Sequence, residues 1–350
     1  MFPAAFADAV VDRYSEPGDT VLDPFAGRGT TLYSAATTGR NAVGVEINPV
    51  GWVYSKTKLN PAPHAAVLQR AKEIGSSATL YREEARSLPV FFQKCFSKSV
   101  LQFLIGVRTL LDWRRNDVDR TLMAFILIHL HGKVTDSLSN QMRQTKAMSP
   151  QYAVRWWRER DFRPPNLDPV EFISRKLQWR YAKGTPRASK SVVLLGDSAV
   201  LLTDLRSSLG RHRIAPASLM LTSPPYFGIT NYHYDQWIRL WLLGGPPTDR
   251  RSESQFQGKH QGKFANVSFY RDLLSTVFAH SAGLLRREAV IYVRTDRREP
   301  TLTITRDVLR EVFPSHRLRR ANRPALRNTQ TDLFGHYDPR FGDVDFILTT

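Results

Sequence analysis

The feature that most constrains the fold is a strand–turn–helix–strand pattern near the N-terminus. The stretch Thr20–Thr31 begins with apolar residues typical of a buried parallel strand and continues through Gly27 and Gly29, which allow a tight backbone turn. A helix is predicted to follow this turn and to end at Gly39, and residues 41–46 predict the next strand. A unit of this kind predicts an α/β fold built on a parallel sheet.

The second strand of this unit ends in a carboxylate, Glu46. An acidic residue about 20 positions after the glycine turn, at a strand end, is where a nucleotide-binding unit holds a ribose. Leu32 stands where the dinucleotide-binding fingerprint requires a third glycine, which favours a nucleoside without a pyrophosphate, such as S-adenosylmethionine. A glycine-rich turn that binds no ligand is the alternative.

A second unusual segment, Ser223–Tyr226, follows a predicted strand at residues 217–221. Its consecutive prolines, Pro224 and Pro225, fix the backbone φ angles and remove the N–H donors at both positions. The segment therefore predicts a rigid ledge that offers a hydroxyl, bare carbonyl acceptors and an aromatic face. These groups suit an exocyclic amine, whose N–H bonds need acceptors and whose heterocycle stacks on a ring. A simple proline turn at a strand end is the alternative.

Together these segments resemble the DNA amino-methyltransferases of restriction–modification systems, which methylate cytosine N4 or adenine N6 from S-adenosylmethionine. The matching segments are Phe2–Phe6, Asp23–Thr30, Gly44–Pro49, Leu195–Ser198 and Thr222–Tyr226. The resemblance implies a Rossmann-like α/β methyltransferase sheet with helices on both faces. It places the catalytic domain at residues 1–60 and 191–350.

The resemblance also implies roles for individual residues. The catalytic motif consists of Ser223, Pro224, Pro225 and Tyr226. Contacts with S-adenosylmethionine are implied for Phe2, Pro3, Asp23, Phe25, Gly27, Gly29, Thr30, Glu46, Asn48 and Asp197. The serine form of the motif is associated mainly with cytosine N4, so methylation of that atom is the expected activity. Methylation of adenine N6 is the alternative, and methylation of RNA or of protein glutamine is a more distant one.

The charge of the chain agrees with a polyanionic partner. Its 50 Lys and Arg against 32 Asp and Glu give a formal net charge of +18. Because cations that neutralise phosphates supply the sequence-independent part of DNA binding, double-stranded DNA is the expected partner. A surplus of charge that merely aids solubility is the alternative. A cognate restriction endonuclease is a candidate further partner.

Residues 61–190 predict an α-helical insertion between the second and third strands. Capping patterns begin predicted helices at Asp119, Ser149 and Asp168. Amides and cations within the insertion are candidates for DNA contacts: Asn140, Gln141, Arg143, Lys146, Arg155, Arg158, Arg180 and Lys183. The alternative is that the nearby tryptophans pack between helices while the cations are only solvated. A Gly-rich loop at 244–262 and an Arg-rich segment at 317–327 are further candidates for DNA contact.

Several function classes are excluded by residue usage. A single cysteine, Cys95, rules out a disulfide framework and fits a reducing cytosol, and its Lys-Cys-Phe context does not suit a cytosine C5 methyltransferase. His129 and His131 lack partner ligands at a metal-site spacing, so no metal is expected. No secretory signal and no membrane span are predicted. The expected location is the cytoplasm, in association with the nucleoid.

Overall fold

A computed structural model of the chain describes residues 2–144, 146–185, 190–212, 214–228, 232–249, 266–322 and 342–350. The chain divides into two compact units. The first contains Met1–Leu59, Pro186–Thr230 and Gly258–Thr350, and the second contains Asn60–Thr185 and Asn231–Gln257, as far as these ranges are described. The second unit thus takes in residues after Asn231 that the sequence-based division assigned to the catalytic domain.

The first unit is built on a seven-stranded sheet with the strand order β3-β2-β1-β4-β5-β7-β6. The strands are β1 (Thr20–Asp23), β2 (Asn41–Glu46), β3 (Ser191–Leu195), β4 (Ala217–Thr222), β5 (Leu285–Asp296), β6 (Arg317–Asn322) and β7 (Asp343–Thr349). Strands β1 to β5 are parallel to one another, whereas β7 runs antiparallel to both β5 and β6. The parallel strands are apolar and buried, because helices cover them.

The helices of this unit form two contacting groups. They are α1 (Ala4–Tyr14), α2 (Thr30–Thr37), α3 (Pro49–Leu59), α11 (Ser198–His212), α13 (Val267–Ala282) and α14 (Thr301–Val312). Helices α1, α2 and α3 contact one another in sequence, as do α11, α13 and α14. This is the arrangement of a doubly wound sheet, and it confirms the predicted Rossmann-like α/β class.

The order of the strands reverses beside β1. From β1 the chain winds outward to β2 and β3, and it then returns to place β4 and β5 on the other side of β1. In open α/β sheets, ligands bind outside the carboxyl ends of the strands at such a switch point. The topology therefore places a candidate ligand crevice beyond the ends of β1 and β4.

The second unit is helical. Its helices are α4 (His64–Ser77), a 3-10 helix (Ala78–Tyr81), α5 (Arg82–Ser87), α6 (Val90–Cys95), α7 (Lys98–Leu110), α8 (Asp117–His129), α9 (Pro150–Glu159), α10 (Pro169–Tyr181) and α12 (Tyr232–Leu242). Aromatic side chains form much of its core, with Phe92 against both Trp237 and Trp241 and Phe91 against Trp157. Of the described residues, none belongs to a helix long and apolar enough to cross a bilayer.

The predicted helix starts of the insertion have different outcomes. The helix expected to start at Asp119 begins at Asp117, because Asn116 Oδ1 accepts the N–H groups of Val118 and Asp119 and so caps the helix. The start of α10 is confirmed, and Asp168 Oδ1 accepts the Glu171 N–H at 2.9 Å.

Two candidate DNA-contact segments lie partly outside the described residues. Of the Gly-rich stretch 244–262, the structure describes residues 244–249. Of the Arg-rich stretch 317–327, it describes residues 317–322, which form the edge strand β6.

The caps of α9 and α10 allow a matched test. Both helices have proline at the first position, but Ser149 makes no side-chain bond to the start of α9 whereas Asp168 caps α10. We expect Asp168→Ala to lower the free energy of unfolding by about 1 kcal/mol and Ser149→Ala to lower it by a few tenths. Urea unfolding followed by circular dichroism measures both changes, and equal losses would contradict the assignment of the cap.

Candidate functional site

The carboxyl ends of four neighbouring strands carry most of the residues predicted to be functional. Strand β1 ends in Asp23, β2 ends in Glu46, β3 is followed by Asp197 and β4 is followed by Ser223. These strands lie side by side in the order β3-β2-β1-β4. The structure therefore brings the glycine turn, the carboxylate at the end of β2 and the diproline segment to one edge of the sheet.

The glycine turn after β1 depends on backbone conformations that other residues rarely adopt. Gly27 has φ of 54° and Gly29 has φ of 70°. A Cβ on Gly29 would lie 2.7 Å from Ser55 Oγ on α3, so the turn also packs tightly against that helix. Sequence reasoning missed Gly51, where a Cβ would lie 2.7 Å from Gly27 O and 3.0 Å from Glu46 Cγ. Because Gly51 has no side chain, the glycine turn and Glu46 can lie together beside it.

Glu46 holds the glycine turn through its own carboxylate. Its Oε2 accepts the Gly27 N–H at 2.6 Å and its Oε1 accepts the Asn48 N–H at 2.8 Å. Burial is the main reason that the pKa of Glu46 is raised to about 8, although both backbone bonds act in the opposite direction. Since each carboxylate oxygen has more than one lone pair, these bonds leave capacity for a hydroxyl donor.

Asp23 joins the glycine turn to the diproline segment. Its Oδ1 accepts the Thr222 hydroxyl at 2.7 Å and the Phe25 N–H at 3.1 Å. The Thr31 hydroxyl donates to Leu221 O at 3.2 Å, which links α2 to β4 as well. Burial raises the pKa of Asp23 to about 6, against the effect of its hydrogen bonds. Residues almost 200 positions apart are thus fixed in one place.

Three other predicted cofactor contacts lie at the same edge. Thr30 is the first residue of α2 and is half-buried. Asn48 is buried, and its Oδ1 accepts the Val50 N–H at 2.9 Å at the start of α3. Asp197 is half-buried, and its Oδ1 accepts the Ala199 N–H at 2.9 Å at the start of α11.

The remaining predicted contacts are less polar. Phe25 is half-buried and packs against the main core of the unit. Phe2 is buried, with its ring centroid 5.1 Å from that of Phe6 in an edge-to-face arrangement. Pro3 is exposed and precedes α1, where its carbonyl accepts the Phe6 N–H at 3.2 Å.

The diproline segment leaves β4 with its polar groups partly accessible. Ser223, Pro225 and Tyr226 are half-buried, whereas Pro224 is buried. The Tyr226 hydroxyl donates to Asp343 Oδ1 at 3.3 Å, which fixes one end of the ring. Burial, followed by the nearby carboxylate of Asp343, raises the pKa of Tyr226 well above its usual value. The tyrosine therefore stays neutral and keeps its proton for this bond.

A buried polar cluster next to this segment was missed by sequence reasoning. Arg294 donates from Nε to Asp345 Oδ1 at 2.7 Å and from a terminal nitrogen to Asp345 Oδ2 at 2.9 Å. The Tyr292 hydroxyl donates to the same Oδ2 at 2.7 Å. The guanidinium also lies 3.5 Å over the ring of Phe6, so the cluster connects α1 with β5 and β7. Charged residues next to the apolar runs of β5 and β7 were the available signal.

The predicted DNA-contact residues lie in the helical unit, and the structure corrects the role predicted for Asn140. Asn140 is buried, and its amide donates to Lys94 O at 3.1 Å and to Phe162 O at 3.0 Å. Both amide protons are thus used inside the unit, and the structure does not present Asn140 to a ligand. Gln141 is half-buried, and its Oε1 accepts the Val134 N–H at 3.0 Å.

The cations of this set differ in their accessibility. Arg143, Arg155, Arg158 and Lys183 are exposed, whereas Lys146 and Arg180 are half-buried. Lys146 pairs with Asp235 at 2.9 Å, and Arg180 donates to Gly184 O at 3.0 Å.

The tryptophans of the helical unit do not all pack between helices. Trp157 packs in the core, whereas Trp179 is 63% exposed with the Lys183 ammonium 3.6 Å from its ring centroid. His131 is buried beside the Arg143 carbonyl, as expected for a packed histidine. The described part of the chain contains no group of three or more potential metal ligands. Burial raises the pKa of the Cys95 thiol well above its usual value.

Comparison with known proteins supports a family over short regions. Residues 1–51 match the model of a family described as DNA methylase. A type II methyltransferase of Methanothermobacter thermautotrophicus, M.MthZI, is 47% identical over 47 residues, which are 13% of each chain. The DNA adenine methyltransferase YhdJ of Escherichia coli K12 is 39% identical over 70 residues, 20% of this chain and 24% of that protein. The matches thus span less than a quarter of the length of these relatives.

Among solved structures, an rRNA methyltransferase from Streptomyces viridochromogenes is similar with a TM-score of 0.34 and 14% identity. The alignment covers 99% of this chain and 84% of that one. A precorrin-8w decarboxylase from Methanobacterium thermoautotrophicum gives a TM-score of 0.36 and 8% identity, over 100% and 92% of the respective chains.

The buried carboxylates make the stability of the chain depend on pH. Burial raises the pKa of Glu46 from 4.5 to about 8 and that of Asp23 from 3.8 to about 6, so the folded chain binds protons that the unfolded chain releases. The free energy of unfolding therefore falls as the pH rises from about 4.5 to about 8. Glu46→Gln should flatten the part of this fall between about pH 6 and pH 8, as measured by urea unfolding at a series of pH values.

The exposed Glu288, in the same unit, is the matched control. Glu288→Gln should leave the pH dependence as it is in the parent chain. If Glu46→Gln gave the same pH dependence as the parent, Glu46 would not carry the raised pKa.

Proposed function

We propose that this protein transfers a methyl group from S-adenosylmethionine to the exocyclic N4 of cytosine in double-stranded DNA. The observation that carries the proposal is the position of Ser223–Tyr226, which leaves β4 directly beside the glycine turn after β1. The bond from Thr222 to Asp23 fixes the two segments to each other. A methyl donor held at the turn and an amine held at the diproline segment would thus lie at one edge of the sheet.

The residues at the glycine turn fit S-adenosylmethionine. Gly27, Gly29 and Gly51 keep side chains away from the turn, and Glu46 has acceptor capacity for ribose hydroxyls at the end of β2. Asp197, after the next strand, is the proposed acceptor for the adenine amino group. When bound, S-adenosylmethionine supplies an electrophilic methyl group on a sulfonium. It needs little activation, and the work of the protein is mainly to position the amine.

The diproline segment supplies that positioning. The Ser223 hydroxyl and the carbonyl of Pro224 accept the N–H bonds of the amine, and so they direct the nitrogen lone pair toward the methyl donor. These bonds strengthen as positive charge develops on the nitrogen, so they favour the transition state over the bound substrate. Tyr226, held at its hydroxyl by Asp343, stacks on a base that has been turned out of the duplex.

Double-stranded DNA as the substrate is supported by the charge of the chain and by the N-terminal match to the DNA methylase family. Exposed cations of the helical unit are the proposed phosphate contacts, namely Arg143, Arg155, Arg158 and Lys183. Half-buried Gln141, Lys146 and Arg180 require rearranged partners, and Asn140 is left out of the set. Action on DNA would place the protein with the nucleoid in the cytoplasm, where a cognate endonuclease would be its counterpart.

Adenine N6 is the second candidate target. Serine in the catalytic motif favours cytosine, as the resemblance implies, whereas one relative that matches this chain is named as an adenine methyltransferase. Both amines would meet the same acceptors, so the choice depends on the shape of the base pocket.

Nucleoside analysis of methylated DNA tests the function and the target together. Duplex DNA incubated with the protein and labelled S-adenosylmethionine should carry N4-methylcytosine, as measured by mass spectrometry after digestion. N6-methyladenine alone would replace the cytosine assignment with the adenine one. Label transferred to RNA or to protein, with none in DNA, would overturn the proposal.

Substitution of Ser223 tests the role of the diproline segment. Ser223→Ala removes a hydrogen-bond acceptor that strengthens in the transition state, and we expect kcat to fall by about 100-fold. Binding of S-adenosylmethionine, measured by calorimetry, should stay unchanged because the glycine turn is intact. Ser218→Ala, at a half-buried serine within β4, is the control and should keep full activity. Equal activity of the two variants would exclude the proposed role of Ser223.

A further inference from the structure

The helical unit contains a cavity that none of the predicted roles uses. It has a volume of about 250 Å³ and lies between α5, α6 and α7. Its lining consists of Arg82, Ala85, Arg86, Gln93, Lys98, Leu101 and Gln102. The lining thus contains three cations, two amides and two apolar residues, with no carboxylate.

The three cations that line this cavity differ in whether a carboxylate pairs with them. Within the described residues, Arg82 and Lys98 are exposed and have no carboxylate at ion-pair distance, whereas Arg86 pairs with Glu83 at 2.8 Å. Glu84, on the same helix, acts electrostatically on Arg108 of α7. Arg82 and Lys98 are therefore the two cations of the lining that have no carboxylate partner among the described residues.

Gln102 adds a neutral amide to the lining of the cavity. The residue is 6% exposed, and its side chain makes no hydrogen bond to any other described group. Its amide atoms are not fully buried, so a ligand in the cavity can reach them. An amide that donates hydrogen bonds suits an anionic oxygen.

The lining of the cavity suits a sugar phosphate better than a bare ion. Ala85 and Leu101 are buried and give the lining an apolar part, which suits the carbon atoms of a deoxyribose. Gln93 donates to Ala85 O at 2.6 Å and so ties α6 to α5 across the cavity. The walls are thus held in place before any ligand arrives.

We propose that this cavity binds a backbone phosphodiester of DNA, with Arg82 and Lys98 on the phosphate oxygens and Gln102 as a neutral donor. The proposal rests on the proposed function, because it takes DNA as the substrate. Such a contact carries no sequence information, and it fixes the register of the duplex on the helical unit.

The salt dependence of DNA affinity tests the cavity. We expect the double variant Arg82→Gln/Lys98→Gln to bind duplex DNA about tenfold more weakly at low salt. The plot of log affinity against log salt should become shallower by about 1, because one phosphate is no longer neutralised. The control Arg175→Gln/Lys72→Gln removes an exposed arginine and an exposed lysine of the same unit away from the cavity, and it should keep the parent slope. Equal slopes for the two double variants would overturn the proposal.

Gln102→Met separates a ligand contact from a structural role. The substitution keeps the length of the side chain and removes the donor, so we expect a few-fold loss of DNA affinity with an unchanged salt slope and no loss of thermal stability. Unchanged DNA affinity would remove Gln102 from the site.

Inorganic phosphate is the second probe, because free phosphate shares the chemistry of the backbone. Phosphate that raises the unfolding temperature of the parent, compared with chloride at equal ionic strength, but not that of Arg82→Gln/Lys98→Gln would confirm an anion site. If Arg82→Gln/Lys98→Gln left the slope of log DNA affinity against log salt unchanged, the DNA backbone would be excluded as the occupant of the cavity. DNA binding is measured without methyl transfer, so the two proposals can fail separately. If the protein transferred no methyl group but the salt dependence of its DNA affinity still changed in Arg82→Gln/Lys98→Gln, the proposed function would be refuted and the phosphate site would stand.

Discussion

The buried hydrogen bond between Asp23 and Thr222 is the interaction on which the rest of the candidate site depends. It joins the ends of β1 and β4, and the same carboxylate oxygen holds the first backbone amide of the glycine turn. The raised pKa of Asp23 shows what burial of this group costs. Hydrogen bonds from the Thr222 hydroxyl and the Phe25 N–H offset part of that cost. Without this bond, sheet pairing and the Thr31 hydroxyl on Leu221 O would still join the two halves of the site, but no side chain would tie the end of β1 to the end of β4.

A second buried group supports the other side of the site. Arg294 and Asp345 face each other across β5 and β7 with paired hydrogen bonds. Removal of one partner from a buried pair of this kind costs roughly 3–5 kcal/mol, because the remaining charge is left unpaired. The arginine also lies against Phe6, so the N-terminal helix and the antiparallel end of the sheet hold the same charge. Polar groups thus fix the orientation of elements that apolar packing alone would leave adjustable.

Much of the fold could be predicted from the sequence, because local patterns determine it. The glycine turn, the strand ending in Glu46 and the cap at Asp168 each depend on a few neighbouring residues. The pairing of Leu22 with Met220 could not be predicted, since it joins strands separated by the whole insertion. Asn140 was misjudged because an amide has the same composition whether it faces solvent or two buried carbonyls. Gly51 was missed because its role is to leave space, which no local pattern reveals.

The antiparallel strand β7 has a consequence for the order in which the site is assembled. Asp343, which holds the Tyr226 hydroxyl, and Asp345, which holds Arg294, both belong to the strand that is synthesised after every other part of the sheet. A nascent chain that has emerged only through β5 has the glycine turn and both prolines, but its tyrosine ring has no anchor. The tyrosine anchor and the partner of Arg294 therefore both arrive only when β7 pairs with β5.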